Sequence, residues 1–273
     1  MLGMTLENAH ATPENQSQTP LEKRLFAMYN REINDSHCRR CFEQDSKLKL
    51  RYGGKRRRCP PQSFFNLGKY LSTASCPIRL VLVGKNSWIN PEGLKKYSKC
   101  GVIYDCGGMA REMWNDKSPY WRAVRSITEE LKLTLDDVFI TNFAKCNVYE
   151  VDSSSYRNIT DWEYFKTCKD ILEKEIQIVE ATHVIFLTSD NYDSLTRGMK
   201  FDYQPSEIVD LTSDSCKKKI LTKDGTSKKD VCWWSRVFHR CGKPGLRLLR
   251  SRHPQGAPGD LVKEIVKWVN NTP

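Results

Sequence analysis

The 273-residue sequence lacks long runs of apolar residues and any excess of acidic residues. No stretch approaches the roughly 18 consecutive apolar residues that a membrane-spanning helix requires. Its first eight residues, MLGMTLEN, contain neither the basic segment nor the apolar segment of a signal peptide. We therefore expect an intracellular protein, in the cytoplasm or nucleoid or in the nucleus of a eukaryote, that is neither secreted nor membrane-bound.

Three common catalytic motifs are also missing. The sequence has no Gly-x-x-x-x-Gly-Lys-Ser/Thr phosphate loop, no His-Glu-x-x-His motif and no Gly-x-Ser-x-Gly motif. Hydrolysis of nucleoside triphosphates and serine hydrolase chemistry are therefore disfavoured.

Positive charge is what the sequence has in excess. It carries 44 Lys and Arg against 33 Asp and Glu, a formal net charge of +11, and such an excess attracts polyanions. DNA, single-stranded or in a mismatched duplex, is the expected partner, bound by a monomer. Seven basic residues and no acidic one lie in segment 47–58, whose glycines indicate a loop. This segment is either a solvated loop, a phosphate clamp in which Arg56, Arg57 and Arg58 contact DNA, or a nuclear import signal.

The chain divides into a tail and one domain. Residues 1–20 are polar and show no apolar period, which indicates a disordered tail. Residues 21–273 are expected to form an α/β domain with basic insertions at about 47–66 and 191–244.

Four short apolar runs predict buried strands, and helical patterns lie between or after them. The runs are Ile78–Val83, Val138–Thr141, Val184–Thr188 and Leu246–Leu249. Helix signals are the apolar period from Leu21 to Ile33, the Ser118-Pro119 start, a capping box at Thr160 and a last helix over about Asp260–Asn270. Alternating strands and helices predict a three-layer α/β/α fold with a central, mostly parallel four-stranded sheet.

Polar residues cluster at the expected carboxyl ends of these strands. The segments are Gly84-Lys85-Asn86, Thr141-Asn142 and Arg252-His253-Pro254. Because ligands bind outside the carboxyl ends of parallel strands, these segments predict one binding pocket.

In this order, the three segments resemble the motifs of the uracil-DNA glycosylase superfamily, and the resemblance covers about Leu21 to Asn270. It implies that the protein removes uracil, the product of cytosine deamination, from DNA during base excision repair. The nucleotide is flipped out of the helix before its N-glycosidic bond is hydrolysed. Asn86 would orient the attacking water, and His253 would donate a hydrogen bond to the leaving uracil.

The resemblance also implies binding residues. Asn142 would pair with the edge of the base and Tyr104 would stack on it, while Gly84 and Pro254 belong to the motifs around the pocket. Arg252 would contact a phosphate.

The iron–sulfur branch of the superfamily accounts for four of the eleven cysteines. Cys38, Cys41, Cys146 and Cys168 stand where that branch has the ligands of its [4Fe–4S] cluster. Four thiolates equally suit a structural zinc ion, so zinc remains the alternative metal.

Two other functions remain open. Ser87 and Trp88 follow Asn86 where the family usually has proline, which favours a nucleic-acid-binding module that keeps the fold but has weak or no catalysis. The second alternative is a zinc-stapled enzyme that acts on another nucleotide.

Overall fold

A computed structural model describes residues 18–33, 55–58, 61–69, 71, 78–86, 106–145, 148–151, 156–159, 162–188, 204–210, 234–240, 243–251, 253–255 and 260–271. The α-helices are α1 (Pro20–Glu32), α2 (Met109–Met113), α3 (Pro119–Glu130), α4 (Trp162–Ile178) and α5 (Leu261–Asn270). The strands are β1 (Lys55–Arg58), β2 (Leu80–Asn86), β3 (Val138–Ala144), β4 (Val148–Val151), β5 (Tyr156–Ile159), β6 (His183–Phe186), β7 (Gln204–Asp210), β8 (Trp234–Arg240) and β9 (Lys243–Arg250). Among the helices of these ranges, none has the length and apolar character needed to cross a membrane.

The central sheet has the strand order β3-β2-β6-β9-β8-β7. Its first four strands are parallel, which confirms the predicted α/β class and the four parallel strands. β8 pairs with β9, and β7 with β8, both antiparallel. The sheet is therefore wider than predicted, because two strands within segment 191–244 extend it beyond β9. A separate antiparallel sheet has the order β1-β4-β5.

The strand boundaries differ from the prediction where the motifs lie. β2 continues to Asn86 and β3 continues to Ala144, so Gly84 and Asn142 are strand residues that pair with each other. The apolar runs end earlier because polar motif residues continue the backbone ladder without continuing the apolar pattern. β6 ends at Phe186 instead of Thr188, and β9 begins at Lys243 instead of Leu246.

Capping explains where the helices begin. Thr19 precedes α1, and its hydroxyl accepts from the Glu22 N–H at 3.2 Å while the Glu22 carboxylate accepts from the Thr19 N–H at 2.8 Å. The predicted start of α3 is confirmed, with Ser118 as N-cap and Pro119 as the first helical residue. The capping box predicted at Thr160 lies outside the described residues.

Helices cover both faces of the parallel strands. Val81 and Val83 pack in one core cluster with α1 and α4, whereas Leu80 and Leu82 pack in another with α2, α3 and α5. All four side chains are fully buried. A strand sends successive side chains to opposite faces, so a continuous apolar run is what two covered faces require.

Strand order creates a crevice beside β2. The chain passes from β2 to β3 on one side, whereas β6 and β9 lie on the other side. The strand order therefore reverses its direction at β2. In an open parallel sheet, ligands usually bind at such a point, at the carboxyl ends of the strands.

A buried ion pair joins the end of β3 to α4. Lys145 Nζ lies 2.5 Å and 2.6 Å from the two carboxylate oxygens of Glu175, and 2.6 Å from the Thr141 hydroxyl oxygen. The Tyr29 hydroxyl of α1 also donates to Glu175. The side chains of Lys145 and Glu175 are 3% and 0% exposed, so the pair is shielded from water. Its charges are stabilised by the protein groups around it.

We expect Lys145→Met to reduce the free energy of unfolding by about 3–5 kcal/mol, because it leaves the Glu175 charge buried without its cation. Adding Glu175→Gln should recover part of the loss, since a neutral amide still accepts from Tyr29. Denaturant unfolding of both variants measures this. Asp136→Asn is the control, because it breaks the exposed pair with Arg111, and should change stability by less than about 1 kcal/mol. An equal effect of Lys145→Met and Asp136→Asn would contradict the importance of the buried pair.

Candidate functional site

A cavity of about 400 Å³ lies at the carboxyl ends of β2 and β3. This volume is in the range of small-molecule sites, about 300–1,000 Å³. Gly84, Asn142 and His253, three residues predicted from the motifs, line this cavity together. They come from β2, from β3 and from the segment after β9, so the sheet brings together residues that are far apart in sequence.

Gly84 is required by the close approach of its neighbours. A Cβ atom at this position would overlap Asn142 Oδ1 and stand 3.0 Å from the Tyr120 hydroxyl oxygen. Asn142 pairs with Gly84 across the parallel ladder and is a buried residue, 8% exposed. Glycine therefore lets the Asn142 amide lie against the backbone of β2 within the cavity wall.

His253 is held as a neutral imidazole. Burial, and then the positive charge of Lys85, lower its pKa below the ordinary histidine value. Its Nδ1 accepts a hydrogen bond from the Gln255 N–H at 3.2 Å, so the ring proton belongs on Nε2. The cavity is thus lined by a neutral ring that has an N–H donor at Nε2.

A second wall comes from residues around the first turn of α3, which the sequence analysis did not assign to the site. Asp116, Ser118, Tyr120 and Trp121 line the cavity there. The Ser118 side chain and backbone N–H bind the Asp116 carboxylate and lower the pKa of Asp116, so this carboxylate stays ionised. Arg125 donates to the Asp116 carbonyl at 2.9 Å, which ties this segment to α3.

Phe65 is another cavity residue that the sequence analysis missed. Its N–H donates to the Ile140 carbonyl at 2.8 Å, and its carbonyl accepts from the Ala110 N–H at 3.1 Å. Phe64, the adjacent residue, packs on the opposite face of the sheet with Phe139 at a centroid distance of 5.5 Å. The only sequence signal for Phe65 is the pair of adjacent aromatic residues at 64–65. That pair does not indicate which of the two rings faces the cavity. Met109 and Met113 of α2 complete this side.

The structure describes some of the other predicted site residues and not others. Asn86 is the last residue of β2, and Pro254 is half-buried beside His253. Arg56, Arg57 and Arg58 form β1 with Lys55, a strand paired with β4, so the basic segment contains a strand where a loop was predicted. Tyr104 and Arg252 lie outside the described residues.

One of the four predicted metal ligands, Cys168, is described. It lies on α4 and is 6% exposed, and its Sγ accepts from the Lys145 N–H at 3.4 Å. Lys145 directly precedes Cys146 in the sequence. Cys38, Cys41 and Cys146 lie outside the described residues. Within the described residues, no group of three or more His, Cys, Asp or Glu is arranged to hold a metal ion.

Comparison with models of known protein families and with curated proteins gives no significant match to this chain.

We expect Lys85→Met to raise the pKa of His253 toward its ordinary value of about 6.5, because the variant removes a neighbouring positive charge. The rise should be partial, since burial, the larger cause, remains. Histidine ring resonances followed by NMR over pH 4–8 measure this change. His183 is the internal control, because burial and Arg247 lower its pKa to about 4 at the amino end of β6. A His253 pKa that is the same in both proteins would contradict the role of Lys85.

Proposed function

We propose that the protein is a uracil-DNA glycosylase-type hydrolase that cleaves the N-glycosidic bond of uracil in DNA. One observation carries the proposal: Gly84, Asn142 and His253, one from each of the three motif segments, line one cavity at the carboxyl ends of parallel strands. This geometry and the order of the motifs in the sequence support the proposal.

His253 has the chemistry that the leaving group requires. As the glycosidic bond breaks, negative charge develops on uracil and positive charge on the sugar. A donor that binds the developing anion more strongly than the intact nucleotide lowers the barrier. The neutral Nε2–H of His253 is such a donor, and it needs no change of protonation before it acts.

Asn142 has the chemistry that base recognition requires. Its amide offers one acceptor and two donors, which can match the N–H and a carbonyl on the edge of uracil. Because Asn142 lies against Gly84, its amide is restricted to one region of the cavity.

The remaining roles follow the resemblance. Asn86 would orient the attacking water without deprotonating it, because an amide is not a base at neutral pH. Tyr104 would stack on the base, while Arg252 and the basic strand β1 would bind phosphates. Phe65, which lines the cavity, offers a second aromatic surface near the base.

A metal group would stabilise the fold and take no part in hydrolysis, which transfers no electrons. Cys38, Cys41, Cys146 and Cys168 are its proposed ligands, and a [4Fe–4S] cluster is the proposed group. The buried Cys168 thiol fits this role, because its sulfur accepts a backbone hydrogen bond, an interaction that commonly surrounds cluster sulfurs.

We expect the protein to release free uracil from oligonucleotides, both single-stranded and with uracil opposite guanine. His253→Ala should slow release about 10²–10³-fold, the usual effect of removing one oxyanion donor. His183→Ala is the matched control, because it removes a buried imidazole from the opposite end of the sheet. Release should persist in that control once the folded fraction is measured. Salt-sensitive DNA binding without uracil release would contradict the proposal and favour a binding module.

We expect Cys168→Ala to reduce the iron and acid-labile sulfide bound per folded protein after anaerobic purification. Cys106→Ala should retain both, because it removes another buried thiol that is not a proposed ligand. Elemental analysis and visible absorbance measure the difference. Equal iron contents in the two variants would refute the Cys168 assignment, and zinc in place of iron would identify the alternative metal.

A further inference from the structure

Tyr120 is a cavity residue whose hydroxyl group is buried. It is the second residue of α3, lines the cavity, and packs edge-on against the Trp121 ring at a centroid distance of 5.4 Å. Its hydroxyl oxygen is buried and has no hydrogen-bond partner among the described residues. Burying a hydroxyl without a partner is unfavourable, so a folded protein usually pairs such a group with protein, water or ligand.

The position of this hydroxyl points to a ligand. The hydroxyl oxygen lies 3.0 Å, and the Cε2 atom 3.2 Å, from where a Cβ atom of residue 84 would stand. Asn142 Oδ1 approaches the same point from the neighbouring strand. The two polar groups therefore converge above Gly84, and the Tyr120 hydroxyl forms no hydrogen bond with the Asn142 amide. A ligand whose edge binds the Asn142 amide would therefore have the Tyr120 hydroxyl beside that edge.

The protonation state makes Tyr120 a donor. Burial raises the pKa of Tyr120, so its phenol keeps its proton at neutral pH. A carbonyl oxygen satisfies this buried O–H. An amino group does not, because the phenol oxygen would accept from the amino group while its own proton remained without a partner.

We propose that Tyr120 is a specificity-determining binding residue whose hydroxyl donates a hydrogen bond to a carbonyl oxygen on the edge of the pyrimidine that Asn142 contacts. The inference rests on the proposed function and extends it: the residue favours uracil over cytosine, which has an amino group in place of one carbonyl. Together, Tyr120 and Asn142 read one edge of the base from two walls of the cavity.

The test is Tyr120→Phe in the full chain, with calorimetric Kd values for free uracil and free cytosine and with thermal unfolding of the unliganded protein. We expect uracil to bind about tenfold more weakly, the usual effect of losing one hydrogen bond, and the preference for uracil over cytosine to decrease. We expect the unfolding temperature to stay equal or rise, because the variant removes a buried hydroxyl that has no partner.

Tyr29→Phe is the matched control. It removes a buried hydroxyl that donates to Glu175, and Tyr29 belongs to the core cluster on the other face of the sheet. It should therefore lower the unfolding temperature but weaken uracil binding by the folded protein much less than Tyr120→Phe does.

Unchanged uracil binding in Tyr120→Phe, or destabilisation equal to that of Tyr29→Phe, would overturn the inference. If the wild-type protein still releases uracil from DNA, either result overturns the inference alone. Failure of the wild-type protein both to bind and to release uracil would overturn the proposed function and the inference with it.

Discussion

The buried pair of Lys145 and Glu175 fixes the end of β3, and the position of the cavity depends on that strand. Two oxygens of one carboxylate accept from Lys145, Thr141 and Tyr29, which join β3, α4 and α1. Separating the three elements would break these contacts and leave the Glu175 carboxylate without its partners, which is unfavourable for a buried charge. Thr141 and Asn142 are consecutive, and holding the first against α4 directs the second to the cavity.

The two faces of β3 consequently have different chemistry. On the α4 face, the polar side chains of the network bind one another, as a group that stabilises a fold must. On the cavity face, the Tyr120 hydroxyl has no partner among the described residues and His253 has an Nε2–H donor. A buried hydroxyl without a protein partner is a group that a ligand can satisfy. The network on one side of the strand thus stabilises the fold, and the other side carries the proposed binding site.

Local sequence patterns predicted the four parallel strands and the helices α1, α3, α4 and α5, but not β1, α2 or the second wall of the cavity. Apolar runs located the four parallel strands, and Thr19 and Ser118 mark helix starts, because these signals depend on neighbours in the chain. Strand order, and with it the crevice beside β2, depends on contacts between distant segments. Tyr120 is the second residue of a helix, where a tyrosine can lie on the surface or in a cavity wall. Nothing in its local sequence distinguishes the two positions. What distinguishes Tyr120 is the approach of its hydroxyl to Gly84, where Asn142 also lies.

Three independent features keep His253 in one protonation state. Burial opposes a charged ring, Lys85 opposes a second positive charge, and the Gln255 N–H needs a lone pair on Nδ1. Protonation at Nδ1 would place two N–H groups against each other, so the tautomer and the charge are set together. Lys85 also leaves a positive charge on the cavity wall where the proposed leaving group becomes anionic. One cation thereby preserves the neutral donor and favours the charge that this donor would bind.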